Sequence, residues 1–489
     1  MRIALADQCG RFVVVDLNWG ELSPHDAAYI YFGRSATTST VLSCSVIAAE
    51  DGKPLNITVS EVIEYVQRRL HISDMFTARL VRLPGDIAMP YWTRERHRDL
   101  AEHITVHAAG LTWTSVQQVL SSLADAPVRT DRPLWSLDVV PDIPDYPHTD
   151  GMVTVVAIRL HHAAIDGVSM ATVLSAICRD DITPETLHRL LPPREHPRHR
   201  HLMRAVARVP LSWTRFAIAI GTTMGTKGKS TSSPVRKQWP ITRFNTGFTG
   251  PRTTTVFEMD LEDVRAMKRT VPGATVNTVL LSVIGDAVIR YLDEHGEHPP
   301  RLSALAPMST RAIAGTRDAP SRGSNQFTPL VIDLAVDETD PTLRLQQITH
   351  ASNEEKSRAA VHTSDRNGPL LETAPPALLR LLGALTRRQH RRRPTPAAAI
   401  ANIVVSNVYN PNPSRTVFGH RIVSGFGIQP LTPLSTLAHA ASTRDDNISI
   451  SITTDRAVMP DLDRYRQILH ITYLDHRNAL LGDQRNRAM

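Results

Sequence analysis

The chain has 489 residues, 42% hydrophobic and 5% aromatic, which is typical of a soluble globular protein with two or three domain-sized units. Its formal net charge is +7, and its three cysteines (Cys9, Cys44 and Cys178) lack the CxxC or metal-ligand spacing. No N-terminal run resembles a secretory signal, and no apolar run reaches the ~20 residues that span a bilayer. The sequence therefore argues against a disulfide-rich secreted domain and an integral membrane protein, and predicts free thiols in a reducing cytosol.

The first part of the chain is predicted to be an α/β half at residues 22–182, preceded by an N-terminal extension at 1–21. Within this half, residues 152–160 are rich in β-branched and aliphatic side chains, which predicts a largely buried strand. Helical apolar spacing resumes at 168–178. The residues between this strand and this helix are therefore predicted to be a turn.

That turn contains the segment His161-His162-Ala163-Ala164-Ile165-Asp166-Gly167. Successive side chains of a strand point to opposite faces, so we expect one of the two histidines to be catalytic and the other structural. A neutral histidine, with a pKa of about 6.5, can take a proton from a hydroxyl or amine that attacks an acyl carbonyl. Asp166 is predicted to fix the loop as an acceptor, often through an arginine, and Gly167 to permit a tight backbone. The alternative is that the histidines and the aspartate only cap a core strand.

The middle of the chain, at 183–252, is predicted to be a basic, proline-rich linker. Much of the positive charge lies in two arginine-rich stretches, 194–208 and 387–393, which adjoin apolar stretches at 213–220 and 377–385. A basic stretch beside an apolar helix face is typical of a membrane interface, and CoA phosphates are another suitable partner. The alternative is a packed helix with a solvated basic end. Nucleic-acid binding is disfavoured, because neither stretch is interleaved with aromatic residues.

The remainder, at 253–489, is predicted to form a second α/β half. Its predicted helices cover 261–270 and 276–294, its predicted strands 254–259, 329–335, 401–408 and 447–454, and its predicted mobile loops 310–324 and 365–376. A Gly-Lys-Ser-Thr run at 228–231 lacks the full spacing of a phosphate-binding loop and a preceding strand. We therefore do not expect a nucleoside triphosphate site.

The histidine segment resembles the HHxxxDG motif of the CoA-dependent acyltransferase superfamily. Further blocks are similar to those of bacterial wax ester synthase/diacylglycerol acyltransferases, and they occur in that family's order. These blocks lie at residues 22–27, 132–135, 277–281, 307–311, 323–326, 406–411 and 430–434. Three of them depart from the family's pattern: Thr278 stands where the family has aspartate, Ser324 interrupts a Gly-Asn pair, and Tyr409-Asn410 replaces Pro-Gly.

This resemblance implies an α/β (α+β) fold of two chloramphenicol-acetyltransferase-like subdomains. Each subdomain would be a mixed β-sheet with flanking helices, and a crossover linker would join the two around a tunnel. The resemblance also implies a long-chain acyl-CoA-dependent O-acyltransferase that esterifies diacylglycerol to triacylglycerol and long-chain alcohols to wax esters. His162 would deprotonate the acceptor hydroxyl, and His161 and Asp166 would support the site.

Several further residues are candidates for binding substrate. Gly167 shapes the loop, Asn277, Asn325 and Asn407 are candidate donors to the oxyanion of the tetrahedral intermediate, and the guanidinium of Arg311 suits either Asp166 or CoA phosphates. Turn or cap roles are the alternative for the asparagines, and a solvated position is the alternative for Arg311.

We expect no metal and no cofactor, with acyl-CoA as a substrate. His103 and His107 lack a third ligand at a recognised spacing. The predicted location is cytoplasmic, peripherally attached to the inner face of the membrane or to lipid inclusions, without nucleic acid or an obligatory protein partner. The alternative functions are a related acyltransferase with another hydroxyl or amine acceptor, and a non-catalytic lipid-binding homologue.

Overall fold

The computed structural model describes residues 20–33, 39–95, 99–147, 149–164, 173–174, 177–178, 198–227, 238–247, 251–309, 327–366, 369–391, 398–408, 416–431 and 435–487. Its strands in chain order are β1 Thr40–Ala48, β2 Ala78–Val81, β3 Tyr91–Arg94, β4 Ile104–Val106, β5 Trp135–Ile143, β6 Val153–His161, β7 Arg252–Asp260, β8 Ser303–Ser309, β9 Phe327–Asp333, β10 Ile403–Val408, β11 Thr416–Val417, β12 His420–Ile428, β13 Leu437–Arg444 and β14 Asn447–Asp455.

Two mixed sheets organise these strands. The first has the order β11-β12-β1-β6-β5-β4, with only β4 and β5 parallel, and the second has the order β7-β14-β13-β10-β8-β9, with β10 parallel to both of its neighbours. Strands β2 and β3 form a separate hairpin. The first sheet includes β11 and β12, which come from within the predicted second half and were not assigned to this sheet by the sequence analysis. Strand β12 pairs antiparallel with β1, so the chain crosses back between the two halves.

The helices pack against these sheets and against one another. In chain order they are α1 Pro24–Phe32, α2 Val59–Gln67, α3 Trp113–Asp125, α4 Arg198–Lys227, α5 Leu261–Thr270, α6 Val276–Glu294, α7 Pro341–Arg366, α8 Pro369–Thr373, α9 Pro376–Arg391 and α10 Leu462–Arg487. Helices α5 and α6 have the predicted bounds. The loop predicted at 365–376 was wrong, because it contains α8 and the start of α9. Pro369 and Pro376 are the first residues of these helices, where the fixed φ of proline suits the first turn and no N–H is needed.

Strand β6 is buried on both faces, as its apolar composition predicted. Ile158 and Leu160 lie in the core that includes α1 and α2, whereas Val155 and Ala157 lie in the core beneath α3. This double burial explains why the strand reads as a continuous apolar run rather than as an alternating one. It also holds the end of the strand, where the histidines lie, in a rigid part of the first half.

The two halves meet through polar contacts between α3 and β7. The Arg252 side chain is 1% exposed, and its Nε lies 2.8 Å from Oδ1 of Asp125 at the end of α3. Close by, Glu258 accepts hydrogen bonds from the Ser424 hydroxyl at 2.6 Å and from the Tyr146 hydroxyl at 3.3 Å. Buried charges and hydroxyls that satisfy one another in this way fix the halves in one relative register.

Helix α4 occupies 30 residues of the segment predicted to be a linker, and it continues through Pro210. Ala205 and Ala219 are buried against the first half, and this packing offsets the loss of one helical hydrogen bond at the proline. The opposite side of α4 is largely exposed. Helix α8 packs against α4, and α9 packs against α1. No helix within the described ranges is long and apolar enough to cross a bilayer.

Candidate active site

His161 is the last residue of β6, and its imidazole is enclosed by protein. The residue is 7% exposed, and its Nδ1 accepts a hydrogen bond from the Ala163 N–H at 3.1 Å. Burial, with a smaller contribution from the neighbouring His162, lowers the pKa of His161 to about 3. The ring is therefore neutral near pH 7 and already engaged with the backbone, as expected of the structural member of the pair.

His162 is half-buried and differs from its neighbour in every contact. Its backbone N–H donates to the Ser39 carbonyl at 2.8 Å, and its ring stacks on Tyr29 of α1, with centroids 5.0 Å apart and planes 14° from parallel. The two adjacent imidazoles thus have separate surroundings, as strand alternation predicted. Tyr29 covers one face of the His162 ring.

The block at 22–27 begins the helix that carries Tyr29. Ser23 is the N-cap of α1: its hydroxyl oxygen accepts from the Asp26 N–H at 3.0 Å and its O–H donates to the Asp26 carboxylate at 2.9 Å. Pro24 occupies the first helical position, where proline is favoured. Tyr29, six residues after this cap, faces the end of β6. The role of this block in the described residues is therefore to set the position of α1.

The block at 132–135 belongs to the core of the first half. The indole of Trp135 is buried, donates to the Phe76 carbonyl at 3.2 Å, and stacks on His103. His103 also bonds to the Trp135 carbonyl through Nδ1, and His107 lies 3.2 Å from Asp138. Each of these histidines thus has a protein partner. Within the described ranges, no three His, Cys, Asp or Glu side chains cluster as a metal site would require.

In the second half, the departure at Thr278 has a structural explanation. Thr275 is the N-cap of α6 and Thr278 is its third residue. The Thr278 oxygen accepts from the Thr275 N–H at 2.8 Å, and the Thr275 oxygen accepts from the Thr278 N–H at 3.2 Å. This is a capping box in which threonine takes the place of the usual acidic or amide residue. The threonine preserves the start of the helix without a carboxylate.

The predicted asparagines of the second half lie on two different elements. Asn277 is the second residue of α6 and is half-buried. Asn407 lies on β10, and its buried Oδ1 has no hydrogen-bond partner among the described residues. The structure places neither asparagine in a described hydrogen bond with His161 or His162. An amide with such an atom is suited to contact a ligand, because a buried polar group without a partner costs free energy.

The other predicted site residues, Asp166, Gly167, Arg311 and Asn325, lie outside the described residues, so their roles stay predictions. The tunnel expected between the two halves also stays a prediction. Sequence reasoning missed Tyr29 and Ser39. A signal for Tyr29 was present, because Ser23 followed by Pro24 is typical of a helix start and Tyr29 follows at helical distance. Ser39 had none, because its contact with His162 depends on the pairing of β1 with β6.

Comparisons with known proteins agree with this architecture. The family profile described as the wax ester synthase/diacylglycerol acyltransferase catalytic domain matches residues 22–280, and the profile of the family's C-terminal domain matches 323–471. Rv3087 of Mycobacterium tuberculosis, which carries the name of a candidate diacylglycerol O-acyltransferase, is 25% identical over 88% of this chain and 91% of its own. Rv0221 of the same organism, with the same name, is 25% identical over 90% of this chain and 92% of its own.

Solved structures show the same fold. The wax ester synthase/diacylglycerol acyltransferase of Marinobacter aquaeolei VT8 superposes with a TM-score of 0.63 at 18% identity, covering 94% of this chain and all of the other. The trichothecene 15-O-acetyltransferase TRI3 of Fusarium sporotrichioides gives 0.55 at 12% identity, covering 94% and 95%. The expected fold of two acetyltransferase-like, sheet-containing subdomains is confirmed. With its catalytic-domain profile matched over more than half of its length, the chain belongs to the wax ester synthase/diacylglycerol acyltransferase family of acyltransferase enzymes.

Proposed function

We propose that this enzyme transfers a long-chain acyl group from acyl-CoA to the hydroxyl of diacylglycerol, and also to long-chain alcohols, with His162 as the general base. The observation that carries the proposal is the division of labour between the adjacent histidines. His161 is buried, and its Nδ1 is bonded to the backbone. His162 is half-buried, and Tyr29 covers one face of its ring. Only His162 combines exposure with a fixed orientation, and a general base needs both.

The chemistry requires one base and no covalent intermediate on the protein. His162 accepts the proton of the acceptor hydroxyl while the oxygen attacks the thioester carbonyl carbon. The resulting tetrahedral intermediate collapses as its carbon–sulfur bond breaks. The imidazolium then returns the proton to the CoA sulfur, so that the products are the ester and free CoA. The histidine ends the cycle as it began, neutral.

The oxyanion of that intermediate needs donors held in place before the reaction. We assign this role first to the side-chain N–H groups of Asn407; its Oδ1 is an acceptor that is buried without a described partner, and a ligand hydroxyl that donates to it would hold the amide at the substrate. Asn277 and Asn325 are further candidates, Arg311 is a candidate for CoA phosphates or for Asp166, and Asp166 and Gly167 support the loop after the histidines. These assignments come from the family resemblance and the chemistry of each side chain.

The first test is acyl transfer from long-chain acyl-CoA by the purified protein, offering diacylglycerol and hexadecanol separately, with His162→Ala beside the parent. We expect ester formation by the parent and a loss of about a thousandfold or more in the variant, since a general base contributes about 10²–10⁴-fold. His161→Asn is the matched control, because it alters the adjacent imidazole while an amide oxygen can replace its Nδ1. Activity retained by folded His162→Ala would contradict the mechanism. No product with either acceptor would favour a different hydroxyl or amine acceptor, or a lipid-binding role.

We also propose that helix α4 attaches the enzyme to an anionic phospholipid surface. Arg200, Arg204 and Arg208 recur every fourth residue on one exposed flank of the helix. On the same face, at successive seven-residue spacings after Arg204, the helix exposes Leu211 and Ile218. Long apolar side chains beside a row of arginines match the two layers of a membrane interface, acyl chains and phosphate headgroups. Helix α9 also exposes three leucines, Leu381, Leu382 and Leu385.

Co-sedimentation with vesicles of phosphatidylcholine, with and without phosphatidylglycerol, tests this attachment. Each basic residue near an anionic surface contributes about 1 kcal/mol, so changing all three arginines to glutamine is expected to weaken binding about a hundredfold. The control changes Arg265, Arg269 and Arg421, which are exposed on other elements, and removes the same charge. An equal loss in the control would show that net charge, rather than α4, drives binding.

A further inference from the structure

Tyr29, Ser39 and His162 form a connected unit that the sequence analysis did not identify. The Ser39 hydroxyl donates to the Tyr29 carbonyl at 3.1 Å, and the Ser39 carbonyl accepts from the His162 N–H at 2.8 Å. The rings of Tyr29 and His162 stack at 5.0 Å. One serine thus ties the backbones of the two residues whose rings are in contact. We call these three residues the Tyr29 clamp.

The clamp draws on three separate elements, and each is fixed independently. Helix α1 begins at the Ser23 N-cap, and Asp26 in its first turn is buried. The cap therefore fixes the position of Tyr29 along the helix axis. Thr40 pairs with His161, which brings Ser39, just before β1, beside His162. The pairing of β1 with β6 continues for nine residues, so the register that makes the clamp cannot slip without disrupting the sheet.

We infer that Tyr29 is a positioning residue for His162, holding the plane of the imidazole and facing the positive charge that the ring acquires when it takes a proton. This inference rests on the proposed role of His162 as the base. An aromatic face attracts a cation that lies over it, and the stack leaves the nitrogen-bearing edge of the imidazole clear of the tyrosine ring. Tyr29 therefore favours the protonated histidine of the reaction over the neutral histidine of the resting enzyme, which is the differential interaction that catalysis requires.

The charged and titratable groups around the clamp are consistent with this role. His161, next along the strand, carries no charge near pH 7, because its own pKa is lowered to about 3 by burial. On α1, His25 lies edge-on to Tyr29, with centroids 6.1 Å apart and planes at 73°. Tyr29 itself presents its ring face, not its hydroxyl, to His162. The part of Tyr29 that matters is thus the ring, and phenylalanine retains it.

The test compares Tyr29→Leu with Tyr29→Phe in the acyl-transfer assay, measured as kcat and KM across pH 5 to 9. For Tyr29→Leu we expect kcat to fall about tenfold with KM nearly unchanged, since the aromatic face acts on the charged transition state. The acid limb of the kcat profile should move to lower pH, because without the ring the protonated His162 is less stabilised and loses its proton more readily. Tyr29→Phe should keep both the rate and the profile of the parent.

His162→Ala in the same series separates the possible failures. If His162→Ala is inactive and Tyr29→Leu matches the parent in kcat and pH profile, the positioning role is overturned while the base assignment stands. A tenfold loss in Tyr29→Phe as well would also overturn it, because the hydroxyl rather than the ring would then be responsible. If His162→Ala retains full activity, the base assignment itself fails, and the role of Tyr29 fails with it.

Discussion

The end of β6 and the start of α6 carry two motifs of the same family, yet they differ in construction. At the end of β6, His162 is held by backbone and ring contacts that leave it half-buried. At the start of α6, Thr278 is 1% exposed, and its polar atoms bond to Thr275. The first motif leaves an imidazole partly exposed, and the second uses its side chain to build a helix.

This difference shows that two family-like blocks of one chain can use their polar side chains in different ways. The distinction lies in what each polar atom contacts. The Thr278 hydroxyl oxygen accepts from the Thr275 N–H and donates to the Thr275 carbonyl, so this side chain serves its own helix turn. Asn407 lies between these two cases. Strand β10 fixes its backbone, but its side-chain oxygen has no described partner.

Among the variants that test this contrast between the two motifs, Asn407→Ala is expected to change kcat the most. If the second half supplies a donor to the oxyanion, Asn407→Ala should lower kcat about a hundredfold, since loss of one preorganised donor costs about 3 kcal/mol in the transition state. Steady-state acyl transfer from long-chain acyl-CoA measures it. Asn447→Ala, at an exposed asparagine of β14, is the control and should match the parent. An unchanged kcat in Asn407→Ala would show that Asn407 is not this donor and would leave Asn277 as the other described candidate of the second half.

Local pattern predicted the elements on which these residues lie. Helix α5 and helix α6 have the predicted bounds, and β6 and β14 differ from the predicted strands by a residue at their ends. These segments have strong apolar periodicity or dense β-branched composition, which a sequence displays directly. The histidine pair was also identified from sequence, because alternation along a strand separates adjacent side chains.

The contacts that orient the site were not predictable in the same way. Tyr29, Ser39 and His162 are distant in sequence, and their contact follows from strand register, which no local pattern reports. The pairing of β12 with β1 in the first sheet could not be predicted for the same reason, because it also depends on strand register. Helix α4 was hidden by Pro210, because a proline argues locally for a break, whereas the buried faces of Ala205 and Ala219 stabilise the helix on both sides of it.

A second prediction concerns His161, the neighbour of the proposed base, and the pH dependence of the free energy of unfolding. Its folded pKa of about 3 lies below the unfolded value of about 6.5. Between these values the unfolded chain binds one more proton, so the free energy of unfolding falls as pH decreases from 6.5 toward 3, by about 1.4 kcal/mol per pH unit. His161→Asn should remove this contribution. Urea denaturation at pH 7.5 and 5.5 measures the difference, which should be smaller in the variant than in the parent.

Two controls define that result. His439, buried in the second half with its pKa also lowered to about 3 by burial, keeps its own contribution in both proteins, so the variant should retain part of the acid sensitivity. His298→Asn makes the same substitution at a histidine whose side chain is 71% exposed, and it controls for the substitution itself. If His161→Asn and the parent lose the same stability on acidification, His161 is not the buried neutral histidine that the structure describes.

The smallest effect is expected at Thr278, and it tests the other side of the comparison. Thr278→Val keeps the shape of the side chain but removes the oxygen that accepts from the Thr275 N–H, so the free energy of unfolding should fall by about 1 kcal/mol. Thr278→Ser, which keeps the hydroxyl, should lose less. Because the residue acts on its own helix turn, kcat in the folded fraction should stay within twofold of the parent for both variants. Thermal unfolding and acyl transfer on the same samples separate stability from chemistry. A tenfold drop in kcat for folded Thr278→Val would place the start of α6 with the end of β6 as a region that acts on the substrate.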